Sequence, residues 1–199
     1  LMKAAGIKDY KSFALDILSF IKDKSISFEV FSDEFDEMKR QALDIASWSE
    51  NIYVKIPITN TKAESSVELI NSLSEDGVKI NVTAMMTVEQ VKSVLPGLSK
   101  GLGGYVSVFA GRIADAGQDP LPVMKETVEI LGDYSHIELI WASPRELYNV
   151  VQADSIGCHI ITATNNILKK LPTLGKDLDQ FSLETVQMFY NDATDAGYI

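Results

Sequence analysis

Residues 53–57 read Tyr-Val-Lys-Ile-Pro, an apolar, strand-like run with an amine in its middle. Side chains alternate along a strand, so Tyr53, Lys55 and Pro57 share one face and Val54 and Ile56 the other. A lysine here is either a surface residue or an amine set inside a core. Burial lowers a lysine's proton affinity, and the neutral amine is a nucleophile that can form a Schiff base with a carbonyl.

The same pattern recurs along the chain. Ser27 and Glu29 share a face near the end of one apolar run, and Asn81 and Thr83 share one near the end of another. Ser107 and Phe109 do so in a third, with Arg112 just beyond, and Ser143 and Arg145 follow a further run. Polar groups recurring at one end of successive apolar strands are costly in a core without partners. Their convergence outweighs the surface reading of Lys55.

The elements that must position these residues alternate in type. Strands are expected near Ile26–Phe31, Ile52–Ile58, Lys79–Ala84, Tyr105–Phe109, Ile137–Ala142 and Cys158–Thr162. Helical spacing of apolar residues predicts helices over 33–48 and 64–75. Thr87-Val-Glu-Gln90 and Ser143-Pro-Arg-Glu146 both read as capping boxes, the second with Pro144 at the first helical position. Pro120 and Pro122 open a helix to about Leu131, a short segment spans Asn165–Lys170, and Ser182–Ala196 forms a helix stopped by Gly197. His159 reads as a packed core residue.

Strand and helix in alternation predict a parallel sheet with helical crossovers. An open doubly wound sheet and a closed barrel compete. No Gly-x-Gly-x-x-Gly follows a strand, and Gly101-Leu-Gly-Gly104 precedes one and reads as a turn. A barrel requires functional residues at the C-terminal ends of several strands, facing inward. The recurring polar positions meet that requirement.

Composition narrows the field. The 199 residues are 46% hydrophobic and 23% charged, which fits one soluble domain with a core. The net charge of −10 argues against nucleic acid and anionic membranes as partners. The apolar runs are too short for a membrane span, and Leu1-Met-Lys-Ala-Ala-Gly-Ile-Lys-Asp9 lacks the apolar core of a signal peptide. The single cysteine, Cys158, excludes a disulfide framework and points to the cytoplasm. His136 and His159 are too few for a metal site, and neither metal nor cofactor is expected.

Five segments, in order and at suitable spacing, resemble the transaldolase family. They are Ser-Phe-Glu-Val at 27–30, Tyr-Val-Lys-Ile-Pro at 53–57, Asn-Val-Thr at 81–83, Ser-Val-Phe-Ala-Gly-Arg-Ile at 107–113 and Ala-Ser-Pro-Arg at 142–145. The resemblance implies a (β/α)8 TIM barrel of the class I aldolase superfamily, shared by small transaldolases and fructose-6-phosphate aldolases. It implies transfer of a dihydroxyacetone unit between sugar phosphates. The reaction would take sedoheptulose 7-phosphate and glyceraldehyde 3-phosphate to erythrose 4-phosphate and fructose 6-phosphate, as in the pentose phosphate pathway. It makes Lys55 the Schiff-base lysine, with Asn81 holding the three-carbon unit and Glu29 and Thr83 positioning a catalytic water. Ser107 and Phe109 would line the site, and Arg112, Ser143 and Arg145 would bind phosphate. A homo-oligomer, in small members a decamer of two pentamers, is implied as well.

Six strands can be counted where the family has eight, so the chain is read as one barrel domain lacking the first two strands. The family's acid/base aspartate on its first strand then has no counterpart here. Two alternatives stay open: an aldolase that releases the three-carbon unit, and a non-catalytic scaffold. The aldolases carry glutamine and tyrosine where this chain has Glu29 and Phe109, which favours transfer.

Overall fold

A computed structural model describes residues 6–199. The opening segment read for a signal peptide begins in residues 1–5, which lie outside the described residues. The described chain forms two compact units, one ending at Thr162 and one from Ala163 to Ile199.

The first unit is built on a sheet of β1 (Ile26–Glu29), β2 (Ile52–Pro57), β3 (Ile80–Met85), β4 (Gly104–Val108), β5 (Ile137–Trp141) and β6 (Ile160–Ile161). The strands lie side by side in chain order, and every pairing is parallel. Its helices are α1 (Tyr10–Phe20), α2 (Phe35–Ala46), α3 (Val67–Glu75), α4 (Val88–Leu98), α5 (Ala110–Asp115), α6 (Leu121–Leu131) and α7 (Tyr148–Ser155). The second unit holds α8 (Asn165–Leu168), a 3₁₀ turn at Leu171–Thr173 and α9 (Leu178–Asp195). Among the described residues no helix is long and apolar enough to cross a membrane.

Strand alternation divides the sheet into two faces. Phe28, Val54, Ile56, Val82, Val106, Leu139 and Trp141 point to the helices and join Met38, Ile70, Leu73, Val91, Leu95 and Met124 in one core. The opposite face carries Tyr53, Tyr105, Phe109, Ile140, Ala142 and Ile160 as a smaller apolar cluster.

Two hydrogen bonds show that this opposite face is concave. The Tyr105 phenol donates to Ser25 Oγ at 2.9 Å, and Asn81 Nδ2 donates to Ser27 Oγ at 3.0 Å. Neighbouring strands are ~4.8 Å apart, so in a flat sheet β1 and β4 would be separated by about 14 Å. A tyrosine closes that gap only if the sheet is rolled. The chords also report stagger. Asn81 registers with Lys55 and so with Glu29, yet its side chain meets Ser27, two residues back on β1. About one residue of stagger per strand is the shear of an eight-stranded barrel. The fold is therefore α/β and TIM-barrel-like, with six parallel strands in a barrel arc.

The helices obey local rules where the sequence is explicit. Thr87 and Gln90 make both halves of a capping box at α4, so two orphan amides are satisfied reciprocally. The α9 helix ends at Asp195, with Ala196 as its C-cap and then Gly197, whose φ of 71° suits glycine. That helix begins at Leu178 rather than Ser182, because the Asp177 carboxylate accepts the Gln180 amide and supplies an earlier cap.

Two expectations are corrected. Ser143-Pro-Arg-Glu146 is not a helix start: α7 begins at Tyr148, and Ser143 has a φ of 58°. The Arg145 and Glu146 amides donate instead to Asn149 Oδ1 at 2.7 and 3.2 Å, so a side chain does the work of the first helical turn. Arg145 thus lies outside the helix. His159 is exposed rather than packed, and its Nδ1 accepts the Leu139 amide at 3.1 Å.

Candidate active site

Glu29, Lys55 and Asn81 occupy one rung across β1, β2 and β3 on the concave face. Lys55 Nζ lies 3.9 Å from Glu29 Oε2, an ionic contact beyond hydrogen-bond reach. The lysine side chain is 28% exposed and the glutamate 43%, so a reactant can approach both. Glu29 is held by its backbone. Its N–H donates to the Tyr10 hydroxyl at 2.8 Å, and that hydroxyl donates back to the Glu29 carbonyl at 3.2 Å. Burial is the largest influence on Tyr10 and raises its pKa, which keeps the phenol protonated as a donor.

Deeper in the arc, polar side chains are linked. Ser107 Oγ donates to Asn81 Oδ1 at 2.7 Å, and Asn81 Nδ2 donates to Ser27 Oγ. Asn81 is 4% exposed and Ser107 3%. Thr83 is 1% exposed, and its hydroxyl has no hydrogen-bond partner among the described residues. A buried hydroxyl left so costs about 1–3 kcal/mol. The backbone there is also irregular: Val82 pairs with Val106 and Met85 with Val108, so Thr83 and Ala84 together oppose Ser107. Ala84 carries a φ of 64°. Such bulges re-aim a side chain and recur beside active sites.

The residues expected to bind phosphate sit past β4 and β5. Phe109 immediately precedes α5, whose Arg112 is exposed. Gly111 allows this helix to touch the β5 loop, since a Cβ there would fall 1.6 Å from the Ser143 carbonyl oxygen. Arg145 is engaged already. Its Nε donates to Asp115 Oδ1 at 2.8 Å, its Nη2 to Asp115 Oδ2 and its Nη1 to the Ser143 carbonyl at 2.9 Å. The Arg145 guanidinium holds the Asp115 carboxyl below its usual range, and Asp115 raises Arg145 in turn. Asp115 was not singled out in the sequence, because its partner lies 30 residues away, beyond α6 and β5.

Two residues before Lys55 on β2, Tyr53 stacks on Tyr105 with ring centroids 4.1 Å apart. Burial and then neighbouring Tyr105 push the Tyr53 phenol up to about 12. Lys79 Nζ lies 5.8 Å from the Tyr53 ring centre and donates to the Glu50 carbonyl at 2.8 Å. Sequence alternation put Tyr53 on this face, but the stack depends on curvature. A separate cavity of about 480 Å³ lies between α1 and α2, lined by Tyr10, Phe31 and Trp48 and reaching only Glu29 among the candidate residues. Lys11 lies over Trp48 there and pairs with Asp44 at 2.8 Å, so its charges answer one another.

The family model described as transaldolase/fructose-6-phosphate aldolase matches residues 8–198. A probable transaldolase of Dehalococcoides mccartyi is 34% identical over 172 residues, 86% of this chain and 76% of that protein. One from a Thermoanaerobacter species is 35% identical over 152 residues, 76% of this chain and 67% of that protein. A probable transaldolase 2 of Listeria monocytogenes is 34% identical over 167 residues, covering 81% and 72%. Among solved structures, a mandelate oxidase variant with an FMN adduct superposes with a TM-score of 0.51 at 13% identity, covering 75% of this chain and 50% of its own, a likeness of fold alone. A matching family model over nearly the whole chain and relatives at about one-third identity make this chain a member of the transaldolase/fructose-6-phosphate aldolase family.

Proposed function

We propose that this chain transfers a dihydroxyacetone unit between sugar phosphates through a Schiff base on Lys55. One observation carries the reading: an inward, part-buried lysine stands in a rung between a carboxylate and a buried carboxamide. The amine adds to the C2 carbonyl of a ketose phosphate, and loss of water leaves a protonated imine. That cation is an electron sink. When the C4 hydroxyl loses its proton, the C3–C4 bond breaks, the aldose phosphate departs, and its bonding pair becomes an enamine. The enamine carbon then adds to the aldehyde of a second aldose phosphate, and water hydrolyses the new imine.

In this reading Glu29 and Thr83 hold the water that carries the proton. Asn81 and Ser107 hold the three-carbon unit, and Phe109 packs beside it. Arg112, with Ser143 and Arg145, takes the phosphate, whose remote binding energy positions the reacting carbons. Borohydride reduction in the presence of fructose 6-phosphate is expected to add three carbons to the peptide containing Lys55. An adduct on another lysine, or none, refutes the mechanism.

Transfer is favoured over simple cleavage by Glu29 and Phe109. A carboxylate can take a proton from water, whereas an amide can only hold the water. Glu29→Gln is expected to slow transfer by roughly 10²- to 10³-fold, within the range of general-base contributions. Phe109→Tyr is expected to add release of free dihydroxyacetone. If the unaltered protein already releases dihydroxyacetone as its main product, the aldolase reading replaces this one.

A further inference from the structure

We propose that Asp33 is a positioning residue that ties the chain leaving β1 to the loop after β2, and so holds Glu29 in place for its proton transfer. This rests on the Schiff-base reading and adds a residue outside the set assigned to it. Glu29 is the last residue of a four-residue strand. Its carboxylate meets Lys55 only as an ionic contact at 3.9 Å, so no direct bond fixes the pair. The Val30 amide donates to the Lys55 carbonyl at 3.2 Å, and among the described residues no main-chain bond joins the two segments beyond it. The end of so short a ladder opens locally unless something else ties it down.

Side chains take over where the ladder stops. Gln41 Oε1 accepts the Phe31 and Ser32 amides at 2.8 and 3.2 Å. The Asp33 carboxylate accepts the Thr61 amide through Oδ1 and the Thr61 hydroxyl through Oδ2, both at 2.7 Å. The Thr61 hydroxyl, and then its amide, hold the Asp33 carboxyl below its usual range, so both bonds go to a charged acceptor. Thr61 is a firm anchor because its loop is stiff. Asn60 is 7% exposed, its Oδ1 accepts the Lys62 and Glu64 amides at 3.0 and 2.9 Å, and Thr59 bridges Ser65. Lys62 also pairs with Glu34 at 2.9 Å, but both side chains are exposed and the pair adds little. The latch to Asp33 is therefore what joins the two strand exits. A carboxylate that acts through one water tolerates little displacement, since an error of about 1 Å costs up to about 100-fold in rate.

The test is a double-mutant cycle on transfer from fructose 6-phosphate to erythrose 4-phosphate. Asp33→Ala is expected to lower kcat about tenfold and to change KM for fructose 6-phosphate by less than about twofold, because the residues assigned to phosphate lie past β4 and β5. Asp33→Asn, whose amide accepts from the Thr61 N–H and donates to the Thr61 hydroxyl oxygen, is expected to recover most of the loss. With Glu29→Gln already present, Asp33→Ala is expected to lower kcat by less than about twofold more, since no carboxylate remains to be positioned. The same loss in both backgrounds, no loss in the unaltered one, or a loss in KM alone overturns the proposal. Thr61→Val removes one of the two bonds and serves if Asp33→Ala does not fold. It is expected to lower kcat about threefold only where Glu29 is present, and an equal loss beside Glu29→Gln overturns the proposal. Failure of the underlying reading looks different: no three-carbon adduct forms on Lys55, or Glu29→Gln alone leaves transfer unchanged, and this proposal then falls with it.

Discussion

Along β2 the convex positions are Ile52, Val54 and Ile56, each no more than 3% exposed, while the concave positions Tyr53, Lys55 and Pro57 all stay part-exposed. The contrast repeats on β4, with Val106 and Val108 toward the helices and Tyr105 and Ser107 into the arc. A parallel sheet covered on both faces by packing reads as a near-continuous apolar run. On these two strands the concave half carries Tyr53, Lys55, Tyr105 and Ser107, and the convex half carries aliphatic residues. The convex face holds the strands against their helices. The concave face carries an amine, a carboxylate, a carboxamide and hydroxyls, the groups that the proposed reaction uses.

The sharpest way to break that comparison is to substitute neighbours on the two faces. Lys55→Met removes the amine but keeps the length of the side chain. It is expected to abolish turnover, by 10⁴-fold or more, as loss of a covalent nucleophile does. Its thermal unfolding midpoint is expected to stay within a few degrees. Ile56→Ala, one residue on, is expected to do the reverse, costing about 2–5 kcal/mol in denaturant unfolding through a cavity in the main core. If Lys55→Met unfolds the chain, or Ile56→Ala leaves stability untouched, the division of labour between the faces is wrong.

The next effect is smaller and lies past the strand ends. Arg112→Ala is expected to raise KM for phosphorylated substrates by about 10- to 100-fold, the range for lost charge-assisted hydrogen bonds. KM for an unphosphorylated ketose is expected to change little. Equal increases for the two would mean that Arg112 does not touch phosphate. Arg145 differs from Arg112 in being held by Asp115 and the Ser143 carbonyl. Asp115→Ala is therefore expected to loosen Arg145 and raise the same KM by a smaller factor.

How far the sequence exposed this design depends on the range of the interaction. The strands were legible because alternation is local, and the concave candidates Glu29, Lys55, Asn81, Thr83 and Ser107 follow from counting along each strand. The α4 capping box was legible for the same reason, since its partners are three residues apart. Ser143-Pro-Arg-Glu146 misled because a matching local pattern was overridden by tertiary contacts. Gly111 packs against the Ser143 carbonyl, Asp115 engages Arg145, and Asn149 takes the free amides. The α5 helix was missed because it is short and opens at Phe109, which makes no side-chain cap. The links from Asn81 to Ser27 and from Tyr105 to Ser25 span 54 and 80 residues and exist only once the sheet is rolled, so spacing could not announce them.

The smallest expected effect tests the floor of the concave face. Burial against Tyr105 disfavours the Tyr53 phenolate and raises that phenol to about 12. In the unfolded chain a tyrosine ionises near pH 10. Between these values the folded state binds more protons than the unfolded state, so stability falls as pH rises, and below about pH 10 the group has no effect. Tyr53→Phe removes the phenol and keeps the ring that stacks at 4.1 Å. The unaltered chain is expected to lose stability between about pH 10 and 12 more steeply than Tyr53→Phe, measured by urea unfolding. Tyr10 also has a raised phenol, on the far side of Glu29. Tyr10→Phe therefore serves as the comparison, and it removes the clamp on the Glu29 backbone as well. If Tyr53→Phe follows the unaltered chain across the whole range, the stacked pair is open to water. The concave face would then have no closed floor beneath Lys55.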